Sequence, residues 1–320
     1  MGNDSGPVIL LTAALDEEQR ARLLDAAPGA RILSEQDLAA HPDLVGRIEV
    51  AYPRLPSALW ARAAGLRWLQ TSFAGVDGLL ANPEARRHPA VLTNVHIHVH
   101  CLAEHLWGMA LMLVRNLHGS VRVQQSGHWD TQAVTGGVGT LAGGTLCVAG
   151  LGAIGAQCAA MGRLMGMRVI GINRSGKPHP SVDQMVTPDK RREVFAVSSL
   201  VMLLLPGTEE TRGFAGKAEL EALHGAWLVN GGRGTAVDTN ELVRALEDGR
   251  VRGAGLDVTD PEPLPDGHPL WALPNVVISP HYGGVHPGYE EEALEVFRGN
   301  LRRWVRGEPL QNVVDKSKGY

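Results

Sequence analysis

Three positions in the second half of the chain carry an arginine, a carboxylate and an imidazole, each shortly after a strand-like run: Arg233, Glu262 and His281. An arginine offers a planar donor fork that matches a carboxylate, and a histidine can move a proton near neutral pH. Ligands of open parallel sheets bind outside the carboxyl ends of the strands. We therefore expect the three side chains to meet there, bind a small carbonyl acid, polarise its carbonyl and transfer a proton.

The runs that precede these residues predict strands over Ala226–Asn230, Gly253–Val258 and Val276–Ser279. Each of the three side chains could also have no catalytic role. Arg233 could be a solvated cation in a glycine-rich turn, and His281 a hydrogen-bonded loop histidine. Glu262 could belong to a solvated, proline-rich acidic loop.

A glycine motif of the form G-x-G-x-x-G spans Gly150 to Gly155. A chain with 39 glycines produces glycine clusters by chance, so its context matters. A buried strand is predicted before it over Thr145–Ala149, helical spacing follows over 156–165, and a second strand is predicted over Met167–Ile172. This order is typical of folds that place a pyrophosphate on a helix N-terminus. With the acid chemistry downstream, it indicates an oxidoreductase that uses a dinucleotide.

The end of that second strand predicts which dinucleotide is preferred. Sites specific for NAD usually place Asp or Glu there to hold the ribose hydroxyls, whereas this chain has Asn173. Arg174 and Ser175 can donate hydrogen bonds to a 2′-phosphate, and Lys177 adds charge. We therefore predict NADP(H) over NAD(H). The alternative is an ordinary solvated turn of the same composition.

Composition supports a globular protein with more than one domain. A chain of 320 residues exceeds what one hydrophobic core usually fills, and 44% hydrophobic with 20% charged residues is ordinary for a soluble protein. The net charge of −4 offers no footprint for nucleic acid or a membrane. Three cysteines without CxxC spacing predict buried thiols in a reducing compartment and no disulfide or metal site. No targeting segment is visible, so we expect a cytoplasmic protein.

Strands and helices alternate along the chain, which predicts an α/β fold with doubly wound parallel sheets. A first α/β section covers residues up to about 100, and a long helix is predicted over Leu102–Leu117. The nucleotide section follows from Thr145 to about His281, and a final helix over Pro287–Val305 could return to the first section.

In these features the sequence resembles the D-isomer-specific 2-hydroxyacid dehydrogenase family, which includes glyoxylate and hydroxypyruvate reductases. The resemblance covers nearly the whole chain. It rests on an ordered set of motifs: Ala74 to Asp77, Ala103-Glu104-His105, Gly150 to Gly155, Leu205-Pro206, Asn230 to Gly234, Leu256 to Pro263, Pro280-His281 and Asn312 to Lys316.

The resemblance implies roles for individual residues. Arg233 would hold the substrate carboxylate and carbonyl, His281 would be the general acid/base, and Glu262 would pair with His281 and favour its protonated form. The substrate would also meet the backbone amides of Phe73, Ala74 and Gly75. The residues implied to contact the cofactor are Gly150, Gly152, Ala153, Ile154, Gly155, Asn173, Arg174, Ser175, Leu205, Pro206, Thr211, Gly231, Asp257 and Gly283.

The resemblance also implies two Rossmann-like domains with the active site in the cleft between them. Residues 1–101 and 288–320 would bind the substrate, and residues 102–287 would bind the dinucleotide. The implied activity is NADPH-dependent reduction of a small 2-oxo acid to the D-2-hydroxy acid, by a homodimer. Two alternatives stay open: a nucleotide-binding scaffold like the corepressors that share this fold, and an enzyme for another substrate such as a phosphorylated hydroxy acid.

The chain departs from the family at His96, His98 and His100. Alternating histidines on an extended strand would share one face, so a metal site is conceivable there. The preferred interpretation is that His98 lies near the active site and that no metal is bound.

Overall fold

All strand pairs in the two sheets of this protein are parallel. The computed structural model describes residues 6–319. Within them the chain forms two units: the first runs to Ile97 and resumes at Pro287, and the second spans His98–His286. The predicted α/β class with two parallel sheets is confirmed.

The first unit contains a five-stranded sheet in the order β2-β1-β3-β4-β5. Its strands are β1 (Val8–Leu11), β2 (Arg31–Leu33), β3 (Val50–Tyr52), β4 (Trp68–Gln70) and β5 (Val91–Thr93). Its helices up to Ile97 are α1 (Glu17–Ala26), α2 (Glu35–Ala40), α3 (Asp77–Leu80) and α4 (Pro83–Arg87), with short 3-10 helices at Pro42–Arg47 and Ser57–Arg62.

The second unit contains a seven-stranded sheet in the order β12-β11-β10-β9-β6-β7-β8. Its strands are β6 (Thr145–Ala149), β7 (Arg168–Ile172), β8 (Gln184–Val186), β9 (Leu200–Leu203), β10 (Ala226–Asn230), β11 (Val251–Leu256) and β12 (Val276–Ile278). Its helices are α5 (Val99–Val114), α6 (Leu117–Ser126), α7 (Gln132–Thr135), α8 (Ala153–Leu164), α9 (Arg191–Val197), α10 (Lys217–Glu221), α11 (Thr239–Glu247) and α12 (Pro269–Ala272). Short 3-10 helices occur at Pro188–Lys190 and Gly234–Ala236.

Both faces of the seven-stranded sheet are buried at its centre. Successive residues of β6 alternate between two hydrophobic clusters, because side chains along a strand point to opposite faces. Leu146 and Val148 pack with residues of α5 and α8, whereas Cys147 and Ala149 pack with residues of α9, α10 and α11. This arrangement explains why β6 is apolar after Thr145 and why helices cover both faces, as in a doubly wound fold.

The strand order reverses at β6, which pairs with β7 on one side and β9 on the other. In open α/β sheets such a reversal leaves a crevice at the carboxyl ends of the strands, where ligands bind. The glycine motif follows β6 directly and therefore lies at this crevice.

The last helix, α13 (Tyr289–Arg306), belongs to the first unit. Its Phe297 side chain is buried and stacks on the Tyr52 ring with centroids 4.4 Å apart. Three glutamates, at positions 290 to 292, lie in its first turn, where negative charge stabilises the helix dipole. Gly307 ends the helix in the left-handed region at φ 67°.

The region of the three alternating histidines differs from the sequence expectation. Residues 94–96 are irregular, a turn follows at Ile97 and His98, and α5 begins at Val99. The histidines therefore do not share one face of a strand, so the argument for a metal site there was wrong. The long helix correspondingly spans Val99–Val114 and not Leu102–Leu117, because its first turn absorbs residues that looked extended.

Within the described part of the chain, no set of three or more His, Cys, Asp or Glu side chains is arranged to hold a metal ion. Among the same residues, none of the helices combines the length and the apolar character needed to cross a bilayer.

Candidate active site

Strands β10, β11 and β12 lie side by side and deliver the three candidate catalytic residues to one edge of the sheet. Asn230 at the end of β10 is paired with Leu256 at the end of β11, and Leu256 is paired with Ile278 at the end of β12. The loops that carry Arg233, Glu262 and His281 therefore all leave from the same edge, as the sequence predicted.

The structure brings His281 and Glu262 into direct contact. The Nδ1 atom of His281 lies 2.6 Å from the Oε1 atom of Glu262. An ionised carboxylate only accepts hydrogen bonds, so Nδ1 carries the hydrogen and the remaining ring nitrogen, Nε2, is directed away from the pair. Both side chains are exposed, at 48% and 41%, so a molecule from solvent can reach the imidazole.

His281 has an unusual backbone conformation. Its φ is 52°, in the left-handed region that non-glycine residues seldom adopt. Its amide donates to the main-chain oxygens of Asp257 and Ser279, both at 2.9 Å. Backbone strain of this kind persists only where the surroundings enforce it, and it is concentrated at functional sites.

The Asp257 carboxylate supports the loop that carries His281. It is 3% exposed and accepts hydrogen bonds from the Ser279 hydroxyl at 2.6 Å and from the amides of Tyr282 and Gly283 at 3.2 Å. The Nε2 atom of His105, on α5, lies 2.8 Å from the Ser279 hydroxyl and 3.5 Å from Asp257 Oδ1. These contacts satisfy the buried carboxylate, which would otherwise destabilise the fold.

The sequence interpretation assigned no role to His105 or Ser279. The available signals were their places in motifs that carry the resemblance, His105 in Ala-Glu-His and Ser279 directly before Pro280-His281. Neither signal states that the two side chains meet, because 174 positions separate them along the chain.

The loop that holds Arg233 is shaped by Asn230, which is 1% exposed. Its side chain accepts a hydrogen bond from the Gly232 amide at 3.2 Å and donates one to the Arg233 carbonyl at 3.0 Å. At Gly234 a Cβ atom would lie 1.9 Å from the Thr259 carbonyl oxygen, so only glycine fits. The half-buried Arg233 donates from Nη1 to the Gly232 carbonyl at 2.8 Å.

The glycine motif has the close approaches that a dinucleotide turn needs. Gly150 has φ 98°, and a Cβ atom on Gly155 would lie 1.9 Å from the Gly150 carbonyl oxygen. Helix α8 begins at Ala153, after Gly152, and no side chain caps its N-terminus. Amides of a first helical turn have no partner inside the helix, so those of Ala153 and Ile154 can bind an anion.

The loop after β9 packs closely against the loop after β10. A Cβ atom on Gly232 would lie 2.5 Å from the Leu205 amide nitrogen, so these two loops approach through glycine. The Thr211 hydroxyl donates to the Pro206 carbonyl and is 3.1 Å from the Thr208 amide, which folds residues 206–211 into a compact turn. Gly231 is equally confined, since a Cβ atom there would lie 2.4 Å from Leu106 Cδ2.

The segment after β7 is organised by Asn173. Its Oδ1 atom accepts hydrogen bonds from the amides of Ser175 and Gly176 at 3.1 and 2.7 Å, and from the Ser175 hydroxyl at 3.2 Å. The Asn173 side chain thus shapes the turn that presents Arg174 and Ser175 to solvent. The Arg174 guanidinium is 3.7 Å from a carboxylate oxygen of Glu210, with both side chains more than half exposed.

In the first unit, the loop of Phe73, Ala74 and Gly75 has its carbonyl groups held in place. The carbonyl oxygens of Ser72, Phe73 and Ala74 accept hydrogen bonds from the Tyr289 hydroxyl at 2.6 Å, the Thr71 hydroxyl at 2.9 Å and the Asn94 amide at 2.7 Å. Across residues 6–319, the amides of Phe73, Ala74 and Gly75 have no acceptor. Such a run of unsatisfied amides is suited to binding a carboxylate.

His96, His98 and His100, the three histidines at which the chain departs from the family pattern, lie in different environments. His98 is 7% exposed and lies at the start of α5, where its Cβ is 3.3 Å from the position of a Cβ on Gly284. His100 is exposed. His96 is exposed at the level of the whole residue, yet partial burial of its ring lowers its pKa below the usual value.

Comparison with known proteins identifies the family. The model of the NAD-binding domain of D-isomer specific 2-hydroxyacid dehydrogenases matches residues 107–283. A glyoxylate reductase from Aeropyrum pernix is 31% identical over 271 residues, which cover 82% of this chain and 80% of the relative.

Solved structures of the same kind match almost the whole chain. A D-isomer specific 2-hydroxyacid dehydrogenase family protein from Aeromonas salmonicida superposes with a TM-score of 0.83 at 32% identity, covering 98% of this chain and 100% of the other. An NADPH-dependent glyoxylate/hydroxypyruvate reductase from Sinorhizobium meliloti, solved with NADP and sulfate, gives a TM-score of 0.82 at 25% identity, with coverage of 98% and 100%. The predicted resemblance is thereby confirmed: the chain belongs to the D-isomer specific 2-hydroxyacid dehydrogenase family, a family of enzymes that use a nicotinamide cofactor.

Proposed function

We propose that this protein reduces a small 2-oxo acid to the D-2-hydroxy acid with NADPH, and that His281 supplies the proton. The observation that carries the proposal is the 2.6 Å contact between His281 and Glu262, at the sheet edge where β10, β11 and β12 end. Relatives named as glyoxylate or hydroxypyruvate reductases support this substrate class.

The proposed chemistry divides between a hydride and a proton. When bound, the reduced nicotinamide would supply the hydride that adds to the carbonyl carbon. His281 would donate the proton that the carbonyl oxygen then needs, while Glu262 accepts the hydrogen bond from its Nδ1 atom and orients the ring. In the reverse reaction the neutral imidazole accepts the proton from the hydroxyl group.

Two groups are proposed to hold the substrate carboxylate. The Arg233 fork matches the geometry of a carboxylate and can reach the adjacent carbonyl oxygen. The amides of Phe73, Ala74 and Gly75 offer further donors, and the hydrogen bonds to the carbonyl groups of the same loop hold its peptide groups in place.

The glycine turn fits a dinucleotide. Gly155 leaves no space for a side chain beside Gly150, and α8 has an uncapped N-terminus at Gly152. Ala153 and Ile154 would donate their amides to the pyrophosphate. The remaining proposed contacts come from neighbouring loops at the same edge: Leu205, Pro206, Thr211, Gly231, Asp257 and Gly283.

The preference for NADPH rests on the segment after β7. Asn173 is neutral and uses its side-chain oxygen within the turn, so it does not repel a phosphate. Arg174 and Ser175 are exposed and can donate to a 2′-phosphate. The relative from Sinorhizobium meliloti is named as NADPH-dependent, which supports the same preference.

We assign substrate binding to residues 1–101 and 288–320 and dinucleotide binding to residues 102–287. A cytoplasmic location is proposed because Cys147 and Cys158 are free thiols. Burial raises the pKa of Cys158 to about 12, so this thiol stays protonated and unreactive.

A homodimer is proposed through the segment that follows α5. Leu117 and Val121, spaced four residues apart on α6, are 48% and 47% exposed, and Trp129 just beyond the helix is 97% exposed. Leu117 and Val121 share one face of α6 by their spacing, and neighbouring exposed apolar side chains mark interaction surfaces. We propose a second copy of the chain as the partner.

The decisive experiment follows NADPH oxidation with a panel of 2-oxo acids: glyoxylate, hydroxypyruvate, pyruvate, phenylpyruvate and branched 2-oxo acids. We expect turnover with at least one member and none without an acid. Tight NADPH binding, measured by fluorescence, with no turnover across the panel would contradict the proposal and favour a nucleotide-binding scaffold.

A further inference from the structure

His105 is a partly buried histidine that the proposed reaction does not use. It lies on α5, its side chain is 18% exposed, and its Nε2 atom is 2.8 Å from the Ser279 hydroxyl. Ser279 is itself 6% exposed and follows the end of β12, two residues before His281. A polar contact this enclosed must have a defined donor and acceptor, because an unmatched pair would be destabilising.

The single hydroxyl hydrogen of Ser279 determines the direction of that contact. The hydroxyl oxygen is 2.6 Å from Oδ1 of the ionised Asp257, which can only accept, so the hydrogen points to Asp257. The Met109 sulfur, at 3.8 Å, is a much weaker acceptor. His105 must therefore donate from Nε2 to Ser279, which gives a directed chain from His105 through Ser279 to Asp257.

Asp257 in turn holds the backbone on both sides of the left-handed His281. Its main-chain oxygen accepts from the His281 amide at 2.9 Å, and its carboxylate accepts from the amides of Tyr282 and Gly283 at 3.2 Å. Three successive amides thus depend on one residue. Any rotation of the Asp257 carboxylate would release two of them and relax the conformation at φ 52°.

The His105 ring also packs against residues 282 and 283. Its centroid is 5.0 Å from that of the Tyr282 ring, in an edge-to-face arrangement. A Cβ atom on Gly283 would lie 2.8 Å both from His105 Cδ2 and from Asp257 Oδ2, so the segment passes directly over the two side chains.

We propose that His105 is a positioning residue for His281. It fixes the Ser279 hydroxyl, which fixes the Asp257 carboxylate. By holding the amides of Tyr282 and Gly283, that carboxylate keeps the segment in the conformation that places the His281 imidazole on Glu262. The inference rests on the proposed role of His281 for its effect on rate. Its effect on the loop does not depend on that role.

The test uses two substitutions that separate hydrogen bonding from ring packing. His105→Phe retains a ring against Tyr282 but removes the donor, and His105→Gln places an amide donor close to the former Nε2 position. Amide exchange of residues 281–283 is measured by hydrogen–deuterium exchange on the protein without substrate or added nucleotide. We expect about tenfold faster exchange in His105→Phe, because one hydrogen bond of the series from His105 through Ser279 to Asp257 is lost. In His105→Gln we expect exchange close to that of the native protein.

Turnover is measured on the same variants together with Ser279→Ala. We expect kcat to fall about tenfold in His105→Phe and in Ser279→Ala, with no further loss in the double variant, because both break the same chain. His105→Gln should retain most of the activity. Unchanged exchange in His105→Phe, or additive losses in the double variant, would overturn the proposal.

An error in the proposed role of His281 can be distinguished from an error in the proposed role of His105. If His281→Ala stays active, His281 is not the proton donor, whereas the exchange rates at residues 281–283 still decide the role of His105.

Discussion

The Nδ1 atom of His281 and the Oε1 atom of Glu262 are 2.6 Å apart, although the two residues leave the sheet from different strands. The contact leaves Nε2 as the ring atom that can exchange a proton with a ligand. His281 thus has an exposed imidazole on a backbone in the left-handed region, at φ 52°. Left-handed backbone at a non-glycine residue is concentrated at functional sites, so this combination supports the proposed role of His281.

Replacement of His281 by alanine should lower kcat by roughly 10²–10⁴, the usual contribution of a positioned acid or base. The affinity for NADPH should change little, because the proposed pyrophosphate contacts lie on the glycine turn. Steady-state kinetics and NADPH fluorescence titration measure the two effects. His224→Ala, at an exposed site in the same unit, is the matched control and should behave as the native protein. Retention of more than about a tenth of the activity in His281→Ala contradicts the assignment.

The direction of the reaction should depend on pH with a definite sign. Reduction consumes a proton and needs the protonated imidazole, so its kcat/KM should fall as pH rises. Oxidation releases a proton and needs the neutral imidazole, so its kcat/KM should rise over the same interval. Initial rates in both directions measure this crossing. A reduction rate that rises with pH would show that another group supplies the proton.

Arg233→Lys should not behave as a conservative change. The lysine keeps the positive charge but loses the planar fork that spans carboxylate and carbonyl. We expect a higher KM together with a lower kcat, because the same side chain acts on both parts of the substrate. Arg244→Lys, on the exposed side of α11, is the control. Kinetics like those of the native protein in Arg233→Lys would assign the arginine to a purely structural role.

The cofactor preference should reverse in Asn173→Asp/Arg174→Ala. Charge-assisted hydrogen bonds contribute roughly 1.5–3 kcal/mol each, so one such bond to the 2′-phosphate favours NADPH by about 10- to 150-fold and a second bond by more. The measurement is the ratio of kcat/KM for NADPH and NADH. Equal or better use of NADH by the native protein would contradict the prediction. An unchanged ratio of kcat/KM for NADPH and NADH in the double variant would also contradict it.

Glu210→Gln is the complementary control for the cofactor site. The Glu210 carboxylate is 3.7 Å from the Arg174 guanidinium and would compete with a phosphate for it. Its neutralisation should leave the NADPH preference intact or raise it modestly, since an exposed ion pair contributes only about 0–1 kcal/mol.

Trp129→Asp should weaken the proposed dimer. The indole is 97% exposed in the single chain, so a charge there has no cost in the monomer but a large one in an apolar interface. Sedimentation velocity measures the change in mass. Leu164→Asp, at a side chain that is 88% exposed on α8, is the matched control and should leave the dimer unchanged. A native protein that sediments as a monomer would refute the proposal directly.

Local sequence was sufficient for the parts of the fold that local physics controls. Strands β6 and β10 occupy Thr145–Ala149 and Ala226–Asn230 as predicted, because each is a buried apolar run bounded by glycine. The turn of Gly150 to Gly155 could also be predicted from the sequence, since it needs a positive φ at Gly150 and the absence of a Cβ at Gly155. The prediction failed at His96 to His100, where an alternating pattern that suggests a strand is also compatible with a turn and the first turn of a helix.

By itself the sequence determined the α/β class, the order of the motifs and the family, because those properties depend on residue type and spacing. It also predicted the side chains proposed to carry the chemistry. Only the tertiary structure decided that His105 meets Ser279 and that Asp257 holds three successive amides around His281. The first contact joins a helix to the end of a strand across 174 positions of the chain, and the second joins the ends of two neighbouring strands. The strand order and register that bring these residues together arise from packing of the whole sheet.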